Sequence, residues 1–327
     1  MICVSVIMSV YSEPVGWIKQ AVDSILAQTF SEFEFVIVID NPKSKEQIAL
    51  LEQYQQIDSR IRILYNSDNI GLAASLNKAI EASCGEYLAR MDADDIAMPE
   101  RFQIQLDYLN EHPDVEVCGT WAKSFGDLPL LAYRKYKMPV TSTQILLHSL
   151  FASPMIHPSV MIKASLLKRY RYDDKLRKAQ DFDLWSRMLL QNVRFHNIPR
   201  FLMDYRITLK SKQIDSLSKQ EEVAELVRGK MLRYVGVRFT RNDFDIHNKL
   251  CNCQSDNLKS SEDWLIRLRN QLTQNYPEER EFISRLVGER WALLAIQQGA
   301  NITTYCKSKL YHGFSIVMMF RFIKRLL

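Results

Sequence analysis

The chain has 327 residues, a net charge of +5, 47% hydrophobic and 25% charged residues, a composition close to that of soluble globular proteins. It excludes a disordered chain, a collagen-like one and a multi-span membrane protein, and the length suits about two domains. The surplus charge is local: Lys307, Lys309, Arg321, Lys324 and Arg325 lie beyond residue 304 with no acid among them, so the neutral body lacks the broad cationic face that nucleic-acid binding requires.

Residues 3–10 (CVSVIMSV) are a short apolar run typical of a strand buried on both faces. Pro14 opens a helix to about Gln28, with apolar side chains at Val15, Ile18, Val22, Ile25 and Leu26. A second buried strand, 35–39 (FVIVI), stops at Asp40-Asn41-Pro42. A helix over 44–55, a strand over 62–65 and the turn Asn69-Ile70-Gly71 follow, the turn starting a helix over 72–83. The strand over 86–91 runs into Asp92-Ala93-Asp94-Asp95, and Pro99 sits at the first turn of a helix to about Asn110. Repeated strand–helix alternation predicts an α/β fold with a mostly parallel central sheet flanked by helices. Further strands are expected at 115–121, 158–163 and 200–207, with a helix at 181–191. Helices at 217–235, 261–274 and 278–298 then dominate, so a boundary near 210 separates a domain of residues 1–210 from a helical C-terminal region, 211–327.

Six cysteines show no CxxC spacing, and Cys3 and Cys118 fall in strand-like runs; thiols held in a core suggest a reducing compartment. A strand-like run at the N-terminus predicts no secretory leader, and no late apolar run nears the roughly 20 residues of a spanning helix. A cytoplasmic location is the expectation.

The ten glycines exclude several phosphate and nucleophile motifs. No pair has the spacing of GxGxxG, GxxxxGK or GxSxG, and HExxH is absent. A phosphorylated ligand would therefore be gripped through a metal held by carboxylates rather than by a glycine loop.

Ser9, Tyr11, Asp40 and the Asp92–Asp95 cluster all lie just past strand C-termini, the edge where open α/β sheets bind ligands. Asp92, Asp94 and Asp95 place three carboxylates in a four-residue turn. Such crowding suits a hard divalent cation, Mg²⁺ or Mn²⁺, which would also take diphosphate oxygens. A plain turn with a helix N-cap is the structural alternative.

Five segments, in order, resemble the family 2 inverting glycosyltransferases of GT-A fold: SVIMSVY (5–11), SILAQTF with EFVIVID (24–40), NIGLAASLN (69–77), GEYLARMDADD (85–95) and AQDFDLWSRM (179–188). The resemblance covers residues 3–210. It implies a donor site in which Ser9 and Tyr11 line the uridine end, Asp40 accepts from the base, Asn69 opens the Asn-x-Gly helix start and Asp92 lies by the ribose or sugar. Asp94 would hold the metal, Asp95 would support it, and Asp181 would be the catalytic base; helix capping is its bland alternative. Arg206 would add a cation to the diphosphate, with a surface ion pair as its alternative, and His157 would contact the diphosphate or the metal, with a satisfied structural histidine as its alternative. Trp185 is read as a stacking platform for the acceptor sugar, with a core role as the alternative. The chain departs from the pattern at Ile39, Gln180 and Thr208, where the family often carries Asp, Glu and His.

The function implied is transfer of a sugar from a nucleotide-sugar donor, UDP-linked, to a glycan or lipid-linked glycan acceptor. A sugar nucleotidyltransferase is the alternative enzyme, although residues 9–16 lack its usual glycine loop; a catalytically inactive sugar-binding module is the alternative from another class. Residues 314–327 (FSIVMMFRFIKRLL) combine apolar side chains with three cations, the pattern of a basic amphipathic helix that contacts an anionic membrane surface.

Overall fold

The computed structural model describes residues 3–126, 134–207, 214–298 and 302–313; the tail at 314–327 and Thr208 lie outside them. The chain divides into two compact units, one of residues 1–145 and 153–224, the other of residues 146–152 and 225–327.

The first unit opens with β1 (Val4–Val10), α1 (Val15–Leu26), β2 (Phe33–Ile39), α2 (Lys45–Ile57), β3 (Ile61–Tyr65), α3 (Leu72–Ala82) and β4 (Tyr87–Arg90). These strands pair in parallel in the order β3-β2-β1-β4. The unbroken apolar runs of β1 and β2 are explained by burial on both faces: every residue of β2 is buried, and Ile18, Val22 and Ile25 of α1 are fully enclosed. Each such side chain contributes about 1.5–3 kcal/mol relative to exposure.

Beyond β4 the sheet turns mixed. β5 (Ile96–Ala97), α4 (Arg101–Glu111), β6 (Val117–Gly126), β7 (Lys135–Tyr136), α5 (Ser142–His148), β8 (Met161–Lys163), α6 (Ala164–Tyr170), α7 (Gln180–Leu189) and β9 (Phe195–Ile207) complete the first unit's elements, α5 crossing into the second unit. β4 and β6 both pair antiparallel with β8, β6 runs parallel to β9, and β5 pairs antiparallel with β9. The two-residue strand β5 ties the chain just after the acidic turn to β9, matching Ile96 with Asp204 and Ala97 with Met203.

A buried polar knot fixes the entry to β4. Ser5 Oγ donates to Glu34 Oε1 at 2.5 Å, the Cys84 N–H donates to the same oxygen at 2.6 Å, and the Gly85 N–H donates to Ser5 Oγ at 2.8 Å. A Cβ at residue 85 would stand 2.6 Å from the Ser5 nitrogen, so only glycine permits this approach.

The second unit contains α8 from Glu225 onward (α8 spans Ile214–Tyr234), α9 (Arg241–Cys251), α10 (Leu258–Asn275), α11 (Arg280–Gln297) and α12 (Ile302–Lys307). Its core includes Trp264, Leu265, Leu268 and Leu272 of α10 with Ile283, Val287 and Trp291 of α11. Thr240 and Asp243 form a reciprocal capping box on α9. No described helix is long and apolar enough to cross a membrane.

Candidate active site

The parallel half of the sheet delivers β4 to a turn at Asp92–Asp95. One carboxylate oxygen from each of Asp92, Asp94 and Asp95 lies within 4.8 Å of the others. Burial and the neighbouring charges of Asp92 and Glu13 push the Asp94 carboxyl up to about 7. Burial and the same crowding raise Asp95 well above the carboxylate range. Its Oδ1 accepts from the Arg206 backbone N–H at 2.7 Å, whereas its buried Oδ2 has no hydrogen-bond partner among the described residues. Crowded, partly orphaned carboxylate oxygens are a donor set that fits a hard divalent cation, which would relieve both the repulsion and the missing bond.

Two arginines brace the turn. Arg90, at the end of β4, is 4% exposed and ion-pairs with Asp92. Arg206, on β9, donates from Nε to the Asp94 carbonyl oxygen at 2.7 Å and from Nη2 to Gln20 Oε1 at 2.6 Å. Its guanidinium is stacked on Phe125 and Trp17, with centroid distances of 4.2 and 4.7 Å. Arg206 was expected on the diphosphate; its bonds instead hold the acidic turn, because β5 brings that turn onto β9.

Asp181 opens α7. Ala179 before it is left-handed, at φ 53°, a conformation that costs a non-glycine residue about 1 kcal/mol. Asp181 Oδ2 accepts from Ser153 Oγ at 3.2 Å. Burial pushes its carboxyl above the ordinary range, against the pull of the Phe182 N–H and the Ser153 hydroxyl. The raised value makes it a stronger base than a solvated aspartate.

A cavity of about 470 Å³ joins these parts. Asp92, Arg90, Asp181, Gln180, His157 and Tyr205 are among its walls, so the acidic turn and the expected base face one space. Tyr11 is 44% exposed just past β1, and its N–H donates to Glu13 Oε2 at 2.8 Å. Ser9 ends β1 half-buried, and Asn69 is exposed ahead of α3.

Two expected contacts, those of Asp40 and Trp185, are corrected, and a third residue, His157, lines the cavity apart from the acidic turn. Asp40 is 2% exposed, and its oxygens accept from Asn66 Nδ2 at 2.8 Å and from the Ile70 and Gly71 N–H groups at 2.9 Å each. It therefore fastens β2 to the start of α3, where Gly71 takes φ 90°, rather than offering its carboxylate to a base. Trp185 is 1% exposed and meets His157 and Phe195 edge to face at centroid distances of 6.0 and 6.1 Å; it is core, since a ring with no accessible face cannot stack on a sugar. His157 stands outside the three-aspartate group, and its Nε2 lies 2.7 Å from the Tyr172 hydroxyl. Burial pushes the imidazole well below its usual value, keeping it neutral beside Arg90.

Sequence reasoning missed Arg90, Ser153 and Tyr172. Arg90 had a signal: a lone cation in an otherwise apolar strand, two residues ahead of an acidic cluster. Ser153 had none, being an ordinary serine in a loop whose path only the fold reveals.

The glycosyl transferase family 2 model matches residues 5–171, about half the chain and nearly all of the parallel run β1 to β4. The chain belongs to glycosyl transferase family 2. An uncharacterized glycosyltransferase of Methanocaldococcus jannaschii is 36% identical over 222 residues, spanning 67% of this chain and 75% of the relative. The O-antigen biosynthesis glycosyltransferase WbnJ of Escherichia coli is 31% identical over 221 residues, spanning 67% and 85%. Among solved structures, S. aureus TarS 1–349 in complex with UDP-GlcNAc superposes with a TM-score of 0.58 at 19% identity, over 92% of this chain and 93% of TarS 1–349. The mannosyltransferase PcManGT from Pyrobaculum calidifontis, in complex with GDP-Man and Mn²⁺, gives a TM-score of 0.54 at 15% identity, over 99% and 86%. The fold is thus GT-A-like, and the family assignment makes the chain a glycosyltransferase rather than a nucleotidyltransferase or a binding module.

Proposed function

We propose that this family 2 glycosyltransferase transfers a sugar, with inversion, from a UDP-linked donor to a hydroxyl of a glycan acceptor, with Asp181 as the base. The observation that carries the reading is the shared cavity: Asp181 on one wall and Asp92, a member of the three-aspartate group, on another. The UDP-GlcNAc complex of TarS and the O-antigen role named for WbnJ support the choice of donor and acceptor classes.

In this reading the acceptor hydroxyl loses its proton to an Asp181 oxygen as its own oxygen attacks the anomeric carbon. The bond from that carbon to the diphosphate oxygen breaks on the opposite face, so the configuration inverts in one displacement. Ser153, bonded to Oδ2, holds the base in place. Ser9, Tyr11 and Asn69 stand at the sheet edge on the donor side. Asp94 would hold a divalent cation, Mn²⁺ or Mg²⁺, with Asp92 and Asp95 beside it; when bound, such an ion neutralises charge on the leaving diphosphate. Arg206 keeps the turn rigid by fixing the Asp94 carbonyl and the Asp95 carboxylate.

The test is a thermal-shift panel of UDP-GlcNAc, UDP-Gal, UDP-Glc and GDP-Man, each with and without Mn²⁺, because a ligand bound only by the native state raises its melting temperature. A shift with a UDP-sugar in the presence of Mn²⁺ is expected. A shift with GDP-Man alone replaces the donor, and no shift with any of them overturns the reading.

A further inference from the structure

Gln180 is the first residue of α7 and the neighbour of Asp181, and the expected pattern often carries an acid at this position. The residue is 8% exposed and lines the same cavity as Asp181 and Asp92. Its carboxamide makes no hydrogen bond to any described residue, yet its atoms are not among the sealed orphans of the protein interior. A buried amide without a protein partner is costly, and one that opens onto a cavity can be satisfied by whatever fills the cavity. Ahead of it, the left-handed Ala179 turns the chain abruptly into the helix, so Gln180 and Asp181 leave the backbone in fixed directions.

An amide offers one acceptor oxygen and two N–H donors. That set matches a sugar hydroxyl, which donates and accepts at once. A glutamate here would place a second carboxylate next to the base, whereas glutamine adds hydrogen-bonding capacity without charge.

We propose that the Gln180 carboxamide is a substrate contact that hydrogen-bonds a sugar hydroxyl beside the reacting centre, and so takes part in choosing which sugar is used. The inference rests on the transferase reading above. The hydroxyl belongs either to the transferred sugar or to the acceptor, and the two sources are separable. Titration calorimetry on the full chain with Mn²⁺ compares UDP-GlcNAc with UDP, UDP-Gal and UDP-Glc with the same UDP, and GDP-Man with GDP. Transfer assays on p-nitrophenyl glycosides report the acceptor side.

For a donor hydroxyl, Gln180→Leu weakens the preferred nucleotide sugar about tenfold and leaves its nucleoside diphosphate within about twofold. For an acceptor hydroxyl, both Kd values stay put and the acceptor KM rises about tenfold, with kcat less affected. Gln180→Glu keeps the shape, the acceptor oxygen and an acid-tolerant helix start, so it folds even where the leucine variant does not; it loses the N–H donors and adds a carboxylate next to the base. Wild-type binding and wild-type acceptor KM in both variants overturn the proposal. Equal losses for sugar nucleotide and bare diphosphate also overturn it, because they mark a scaffold role. A wild-type chain that binds none of the four sugars fails at the earlier step and takes this proposal with it.

Discussion

Arg90 and Asp92, two residues apart at the end of β4, form an ion pair in which the guanidinium is 4% exposed and the carboxylate 29%. The pair is lopsided in exposure, although both side chains line the same cavity. Removing the cation would leave Asp92 without its ion-pair partner beside Asp94 and Asp95. Arg90→Gln is expected to lower stability by about 3–5 kcal/mol, the usual cost of breaking a buried pair, as read from urea unfolding. A loss below about 1 kcal/mol would show that solvent already screens the pair.

The crowding that pushes Asp94 up to about 7 predicts a metal-dependent melting temperature. Titrating Mn²⁺ into the wild-type chain raises that temperature, and Asp94→Asn removes the response while the folded baseline survives. Stripping the wild type with a chelator should reproduce the variant. An undiminished Mn²⁺ response in Asp94→Asn would move the ion away from this turn.

Asp181→Asn keeps the size and the Ser153 contact of the side chain but cannot take a proton. Transfer should fall about 10²–10⁴-fold, the range for a lost general base, with nucleotide-sugar affinity little changed. Because burial raises the wild-type carboxyl, kcat/KM should decline as the medium is acidified through that raised value, the protonated acid being unable to act as a base. Rates that match the wild type in Asp181→Asn would place the base elsewhere.

His247 is a pH-sensitive joint of the second unit. Its Nδ1 accepts from Trp264 Nε1 at 3.2 Å and its Nε2–H donates to the Leu150 carbonyl at 2.8 Å, an arrangement only the neutral ring satisfies. Burial depresses it from 6.5 to about 4. Between those values the unfolded chain binds more protons than the folded one, so stability falls as pH drops through the window and levels off below it. Between about pH 7 and about pH 5 the loss is roughly 1–2 kcal/mol for this residue. His148, pushed to about 3 by burial and by Arg290, adds to the same slope. Guanidinium unfolding at the two pH values measures the drop, and His247→Gln should flatten it.

The parallel half of the sheet was legible because its signals are strong and local. The apolar runs of β1 and β2, the Pro14 and Asn-Ile-Gly punctuation and the strand before Asp92 all state their roles within a few residues. The mixed half was legible in part: the strands expected at 115–121, 158–163 and 200–207 overlap β6, β8 and β9, whereas β5 and β7 are two residues long and owe their existence to partners elsewhere in the chain. α5 and α6, seven residues each, are too short to show a clean period. The site divides the same way. Asp92, Asp94 and Asp181 could be singled out from motif and chemistry; Asp92 and Asp181 line one cavity, and Asp94 lies beside Asp92 in the acidic turn. Arg206 and Asp40 were assigned to ligands because sequence shows a charge but not its partners. Only the pairing of β5 with β9 puts Arg206 under the Asp94 carbonyl, and only the path of the 66–71 loop supplies Asp40 with three N–H donors.

The antiparallel insertion of β8 between β4 and β6 has a bearing on how such enzymes diversify. The acidic turn is moored at the exit of β4, and the base at the head of α7, so neither depends on the wording of the short stretch 134–140 that lies between them in the chain. That stretch, which contributes Tyr136 and Met138 to the cavity rim, can be rewritten or swapped while Ser153 and Phe125 go on supporting the base and the arginine that holds the turn. Exchanging it between family members should therefore retune recognition before it disturbs chemistry.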